Sequence, residues 1–400
     1  MTRSFYEYIV LGCGGIGSST AFWLSRRAGA EVLGLEQFEL GHSRGGSQDF
    51  SRIIRLTYHD DTYTRLTPHT YMAWAVIEDE SAVKIVHKTG GLTLALKGDR
   101  RYQASIENYA RSMAAHGIPF DRLNADEVMR RFPQWHLDEE VDAIYQADMG
   151  LVDAIKGNAA HVAIARQQGA TFIEGCPVTD IRPFEDGVEL DTPKGHFTCR
   201  RLIVTAGGWT DKLLAKLNMT LRITVTEEQV TYYATPNLKE FAIGRFPTFI
   251  WEGDEAVYGF PIYGEVATKV GLDASGPEVD PDRRTYRPDP VREGRAETWL
   301  TKYLPGFLGP ILYTKSCQYA MPRDRGFVID HLPGYPQISV FVGAGHGYKF
   351  AALFGKILSE LAIDGQTCHP IEAFTINRPA INDPDFPPSF HPVDMGGRGQ

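Results

Sequence analysis

Apolar residues first cluster at 8–11, a short run ending in glycines, then recur at helical spacing over 18–27 and form a second run over 31–36. Strand, glycine turn, helix and strand within about thirty residues make the length that a βαβ crossover requires. A further helix is predicted over 60–79, where Leu66, Tyr71, Trp74 and Ile77 fall on one face. Residues 83–96 read as strand broken at Gly90 and Gly91, and 102–116 as helix. Residues 153–168 read as helix, and 171–181, 187–190 and 201–204 as strands that resume the first sheet. Between Leu221 and Lys315, strand candidates such as 223–233 and 256–260 alternate with Pro/Gly-rich loops, so an antiparallel sheet is expected. The charged stretch 273–290 contains four prolines and reads as a solvated loop or lid. Strands at 328–330 and 338–342, a glycine turn over 343–347 and a helix over 350–362 then repeat the opening pattern.

At 400 residues the chain exceeds one ordinary compact core. The element order predicts a mixed α/β chain whose nucleotide-binding domain is discontinuous, made of 1–88, 150–218 and 318–385. A substrate domain of 89–149 and 219–317 is inserted, and 386–400 is a tail. A net charge of −9 argues against a nucleic-acid partner, since phosphate binding needs a basic face. The five cysteines, Cys13, Cys176, Cys199, Cys317 and Cys368, have neither zinc-ligand spacing nor an even count, which fits a reducing compartment. No apolar run reaches the ~18 residues of a membrane span. A cytoplasmic location and no metal are expected.

The chemistry begins at Gly12-Cys13-Gly14-Gly15-Ile16-Gly17, a G-x-G-x-x-G run placed between strand and helix. Gly12 permits a tight turn, Gly14 lets backbone approach a pyrophosphate, and Gly17 lets helix and strand pack closely. Amides at the helix start, including those of Gly15 and Ile16, face the phosphates. Glu36, nineteen residues after Gly17, stands where an acidic side chain takes ribose hydroxyls. These residues alone leave NAD and FAD both open.

Several runs together resemble the monomeric sarcosine oxidase and N-methyltryptophan oxidase family, FAD enzymes of the glutathione-reductase-like group. They are 12–17, Ser51-Arg52-Ile53-Ile54-Arg55-Leu56-Thr57-Tyr58, Thr205-Ala206-Gly207-Gly208-Trp209, Tyr258-Gly259-Phe260-Pro261, Lys269, Cys317 and Gly345-His346-Gly347-Tyr348-Lys349-Phe350. The resemblance implies a glutathione-reductase-like FAD-binding Rossmann domain with an inserted antiparallel-sheet substrate domain. It implies FAD held by the glycine turn, Glu36, Ser51, Arg52, Val178, Gly207, Trp209, Gly345, Gly347 and Lys349, and joined to Cys317 as a thioether. A thiolate is the attacking species, so an electropositive surrounding is expected, with Lys315 and Arg323 near in sequence. Lys269 corresponds to the cation on the side where oxygen is reduced. Arg55 and Lys349 correspond to the pair that holds a substrate carboxylate, and Tyr258, Tyr319 and His346 to pocket-lining positions.

The implied activity is oxidation of a small secondary or tertiary amine, an N-methyl or cyclic amino acid, to imine or aldehyde with hydrogen peroxide. Its partners are the amine and O2, and a monomer or weak homodimer is expected. The chain departs from the family at Asp273, where a histidine stands, and at Ser47 and Gln48, which replace two histidines. A carboxylate at 273 suggests a more cationic or larger substrate than sarcosine. Three alternatives stay open: a dehydrogenase passing electrons from FAD to another acceptor, an NAD-dependent dehydrogenase, and a flavin-containing subunit without turnover.

Overall fold

The computed structural model describes residues 3–58, 60–98, 100–138 and 140–390, without the side chains of 100, 101 and 103; the part of the expected tail beyond 390 lies outside the described residues. Its first sheet has at its centre the strand Phe5–Leu11, flanked in parallel by Val32–Leu35 and Gly195–Val204. Thr171–Ile173 extends the parallel set on one side, and Tyr335–Val342 on the other. The long strand Gly195–Val204 divides its second edge, pairing antiparallel with Gly187–Thr192 through its first half and parallel with Tyr335–Val342 through its last three residues. The helices Gly15–Ala28 and Ala351–Asp364 pack against each other on one face of this sheet, burying Phe22, Leu24, Leu353, Phe354 and Ile357. Each follows a strand and a glycine turn, as the repeated sequence pattern predicts.

A second eight-stranded sheet runs in the order Ile311–Met321, Thr224–Tyr233, Thr268–Leu272, Val257–Phe260, Thr248–Glu252, Gly91–Leu96, Val141–Gln146 and Asp121–Asn124. It departs from the expected antiparallel sheet in one place, because Thr248–Glu252 lies parallel to Gly91–Leu96. Two strands joined by a long excursion rather than a hairpin are free to pair in either sense. The helix Pro290–Tyr303 interrupts the expected strand-rich region and covers this sheet with Trp299, Leu300 and Tyr303. Asp289 caps its first turn by accepting from the amides of Val291 and Arg292. The strand Ile311–Met321 passes through the boundary expected at 317/318, so 318–321 belong to the second sheet.

A small third sheet joins Arg52–Ile54, Gly150–Val152 and Val86–Lys88. It carries Arg52. The expected lid 273–290 is only partly a solvated loop, for the Arg284 side chain is wholly covered and pairs with Glu227. The start of the tail is docked as well: the Ser389 amide donates to the Arg323 carbonyl, and Arg325 reaches the Phe390 carbonyl. No helix among the described residues is long and apolar enough to cross a membrane, and no described group of His, Cys, Asp and Glu could hold a metal.

Candidate active site

The strand Phe5–Leu11 ends at Gly12, whose φ of 91° lies in the left-handed region. A Cβ there would come within 2.9 Å of the Thr205 carbonyl oxygen and the Ala206 Cα. At Gly17 a Cβ would meet the Gly12 carbonyl oxygen at 1.8 Å, so only hydrogen allows helix and strand to close on each other. Gly14 is the N-cap of the helix Gly15–Ala28 and offers no side-chain cap, so the first amides are left for a ligand rather than for the chain itself.

Gly12, Gly14 and Gly15 open onto two adjoining cavities. The smaller, about 280 Å³, is lined by Glu36, His42, Val178, Gly207, Trp209 and Lys212 among others. Glu36 is buried; its Oε2 accepts from the Cys13 amide at 2.8 Å and its Oε1 from the Phe38 amide at 3.1 Å. Burial works against its charge, but His42 and these two amides hold the carboxyl below its usual range. Trp209 forms a wall fixed by its indole N–H donating to Asp282 at 2.6 Å. The larger cavity, about 640 Å³, shares Gly14, Ser47, Thr205, Gly207 and Gln318 with the smaller one and extends to the second sheet. An elongated ligand with a diphosphate at its middle fits this pair of spaces around the glycine turn.

At the far end of the larger cavity lies a cluster of cations. Arg55 is stacked near the rings of Tyr58 and Tyr109, at 4.8 and 5.4 Å, and its Nε and Nη1 are buried with no hydrogen-bond partner. Lys349, just past the turn of Gly345 and Gly347, donates to the Tyr58 hydroxyl at 3.1 Å and to the His346 carbonyl at 2.8 Å. Both acceptors are neutral. Burial, with Arg55 beside it, pushes the Lys349 ammonium well below its ordinary pKa. His346 completes the corner through Nδ1 at 3.3 Å from the Tyr58 hydroxyl, and burial followed by Lys349 drives its pKa well down. Two covered, unpartnered N–H groups on a half-buried guanidinium that otherwise meets Tyr58 and Tyr109, together with a desolvated lysine, call for an anion.

On the wall formed by the second sheet, Lys269 stands opposite Tyr232 and Phe260 in the strand register. Its Nζ donates to Ser51, to the carbonyl at 2.9 Å and the hydroxyl at 3.1 Å, and lies 2.6 Å from Asp49 Oδ2. Burial pulls its pKa down to about 8 against the opposing pull of Asp49. Arg52 is held over the same loop, donating to the carbonyls of Ser51 and Gly46 at 2.9 and 3.1 Å and also to that of Gln48. Tyr258 and Tyr319 face the cavity, and a Cβ on Gly345 would strike the Tyr319 ring at 2.5 Å.

Cys317 lines the same cavity, opposite Glu228 in its sheet. The expected activation of its thiol is corrected in two ways. Burial pushes the thiol up to about 11 rather than down, and the cations that oppose this are Arg52 and Arg284. Arg323 instead donates to the carbonyls of Pro384 and Phe386, and Lys315 points to Asp49. The strand ends at Met321 and the chain passes to the first sheet, so nearness in sequence does not bring Arg323 to the sulfur.

Comparison with known proteins decides the family. The pattern described as FAD dependent oxidoreductase matches residues 7–361. The chain belongs to this family. Within it the chain is similar to the monomeric sarcosine oxidase of Arthrobacter sp. (strain TE1826), 32% identical over 94% of this chain and 97% of that protein. It is also similar to the N-methyl-L-tryptophan oxidase of Escherichia coli O127:H6, 28% identical over 93% of this chain and 99% of that one. Among solved structures it resembles NikD, an unusual amino acid oxidase essential for nikkomycin biosynthesis. That likeness has a TM-score of 0.82 and 25% identity, over 93% of this chain and 98% of NikD. This FAD-dependent oxidoreductase is thus one of the sarcosine oxidase-like amine oxidases.

Asp273, which departs from the pattern of these oxidases, is not the free carboxylate the sequence suggested. Both its oxygens lie 2.8 Å from Arg325 Nη2, so its charge is spent within the protein. Asp49 and Arg325 line the larger cavity and Arg284 lies near Cys317, and none of the three stands out in the sequence. Arg325 has φ 53° and Asp49 φ 116°, but no local sequence signal marks either conformation. Tyr58 was visible only as the end of a longer matching run.

Proposed function

We propose that this FAD-dependent enzyme oxidises a small secondary or tertiary amine that carries a carboxylate, an N-methyl or cyclic amino acid, with O2 as acceptor. The observation that carries the proposal is the pair of covered, unpartnered N–H groups, Nε and Nη1, on half-buried Arg55 near Lys349. Arg55 offers a planar fork for a carboxylate and Lys349 a point charge, and the anion restores the hydrogen bonds that these two groups lack. FAD, when bound, supplies the two-electron oxidation of the amine and passes the electrons to O2, leaving an imine and hydrogen peroxide. The glycine turn and the uncapped helix would hold its diphosphate, Glu36 the ribose hydroxyls, and Cys317 a thioether link to the ring.

The chain's own residues do the rest. Arg55 and Lys349 fix the carboxylate, Tyr258 and His346 bound the space around the amine, and Lys269 keeps a positive charge where oxygen acquires electrons. Asp273, already paired with Arg325, adds no net charge, which supports a substrate side chain without a cationic group. We read 1–88, 150–218 and most of 318–385 as the cofactor domain, and 89–149 with 219–317 as the substrate domain. The five unpaired cysteines support a cytoplasmic location, and the monomeric relatives support a monomer.

The test is a peroxide-coupled screen of N-methyl amino acids, cyclic imino acids and the same amines without a carboxylate. Turnover confined to the carboxylates supports the assignment; equal turnover of both sets rejects the role of Arg55 and Lys349. Reduction by substrate without oxygen consumption would point instead to another electron acceptor.

A further inference from the structure

Lys269 has a counter-ion held in place at a cost to the backbone. Asp49 is buried at φ 116°, a conformation that a residue with a Cβ seldom adopts and that persists only where its surroundings enforce it. Its Oδ1 accepts from the Tyr232 hydroxyl at 2.6 Å and lies 3.3 Å from Lys315 Nζ. Its Oδ2 lies 2.6 Å from Lys269 Nζ and 3.7 Å from Arg52 Nη1. One carboxylate therefore serves three cations drawn from three strands, while Ser51 takes the remaining contacts of the Lys269 ammonium.

We propose that Asp49 is a positioning residue for Lys269: its carboxylate fixes the ammonium against the cavity wall and keeps it protonated over the working pH range. This rests on the reading of Lys269 as the cation on the oxygen side. The groups that face Lys269 are Asp49 from the preceding loop, Arg52 from its short strand, Tyr232 from the strand opposite, and Lys315 and Cys317 from the strand Ile311–Met321. Arg52 works to discharge the lysine and Asp49 to keep it charged. Loss of an opposite charge at contact distance moves a pKa by about 1–3 units. Since burial already brings Lys269 to about 8, removing Asp49 leaves the amine neutral at physiological pH.

The test uses the FAD-loaded enzyme and its Lys269→Met, Asp49→Asn and Asp49→Gly variants. Glycine suits the positive φ, so Asp49→Gly removes the carboxylate without backbone strain should the asparagine variant fold poorly. The first measurement is the pH dependence of the visible absorbance of the oxidised enzyme, which reads Lys269 ionisation without turnover. The second is stopped-flow reoxidation by O2 after anaerobic reduction. An inflection near pH 8 is expected in the parent. It should be lost in Lys269→Met and lowered by about 1–3 pH units in both Asp49 variants, with reoxidation falling at the same lowered pH. If Lys269→Met removes the inflection while both Asp49 variants leave it in place, the proposal is overturned and the role of Lys269 stands. If Lys269→Met reoxidises like the parent, both fall together.

Discussion

Replacing Arg55 by methionine removes the guanidinium while keeping an unbranched side chain between the rings of Tyr58 and Tyr109. Its Nε and Nη1 are the unpartnered donors, and a charged hydrogen bond to a carboxylate contributes about 1.5–3 kcal/mol. Because Lys349 remains to hold the anion, a loss of about 3 kcal/mol is expected, which is roughly a hundredfold in kcat/KM. The loss should fall on carboxylate substrates alone, so the assay compares an N-methyl amino acid with the matching amine lacking its carboxylate. Parent and variant should differ by that factor on the first and by less than about threefold on the second. The ligand-free variant should be no less stable than the parent, since a half-buried guanidinium without full pairing is replaced by an apolar chain. Equal losses on both substrates would refute the reasoning, for they would show that Arg55 shapes the pocket rather than binding an anion.

Other outcomes follow from the same structure. Cys317→Ser should leave FAD bound but released into the supernatant on acid precipitation, whereas the parent should keep its yellow colour in the pellet. Gly17→Ala places a Cβ at 1.8 Å from the Gly12 carbonyl oxygen, so it should abolish FAD uptake, measured by absorbance after reconstitution. Asp273→Ala leaves Arg325 buried without its carboxylate and should lower stability by about 3 kcal/mol in urea titration. The parent's reoxidation by O2 should slow as pH rises through about 8, because the folded-state pKa of Lys269 is lowered and the ammonium loses its proton there.

The opening strand, turn and helix were legible because spacing and flanks agree over a short stretch of chain, and the same holds for the closing unit around Gly345. The pairing of Gly91–Leu96 with Thr248–Glu252 was not, since nothing in either strand specifies a partner some 150 residues away or its direction. The helix Pro290–Tyr303 was missed although Asp289 and Pro290 are an N-terminal signature, because its charged composition blended with the polar loop before it. Lys269 and Arg55 could be named from resemblance, but their partners could not. Asp49 belongs to Lys269 only through the fold, and the neighbours of Cys317 were misjudged because sequence distance stood in for distance across a sheet.

The strand Ile311–Met321 pairs along nearly its whole length with Thr224–Tyr233, with a single irregularity at Tyr232/Tyr233. Lys315, Cys317 and Tyr319 alternate along it with Ser316, which meets Arg284, and Gln318, which reaches the Arg44 carbonyl. Deleting one residue before Lys315 would exchange the two rows, taking the thiol from its place near Arg52 and breaking the contacts that Ser316 and Gln318 make with Arg284 and the Arg44 carbonyl. A change of length within this ribbon therefore disturbs all of these contacts together, whereas one beyond its ends leaves their register intact.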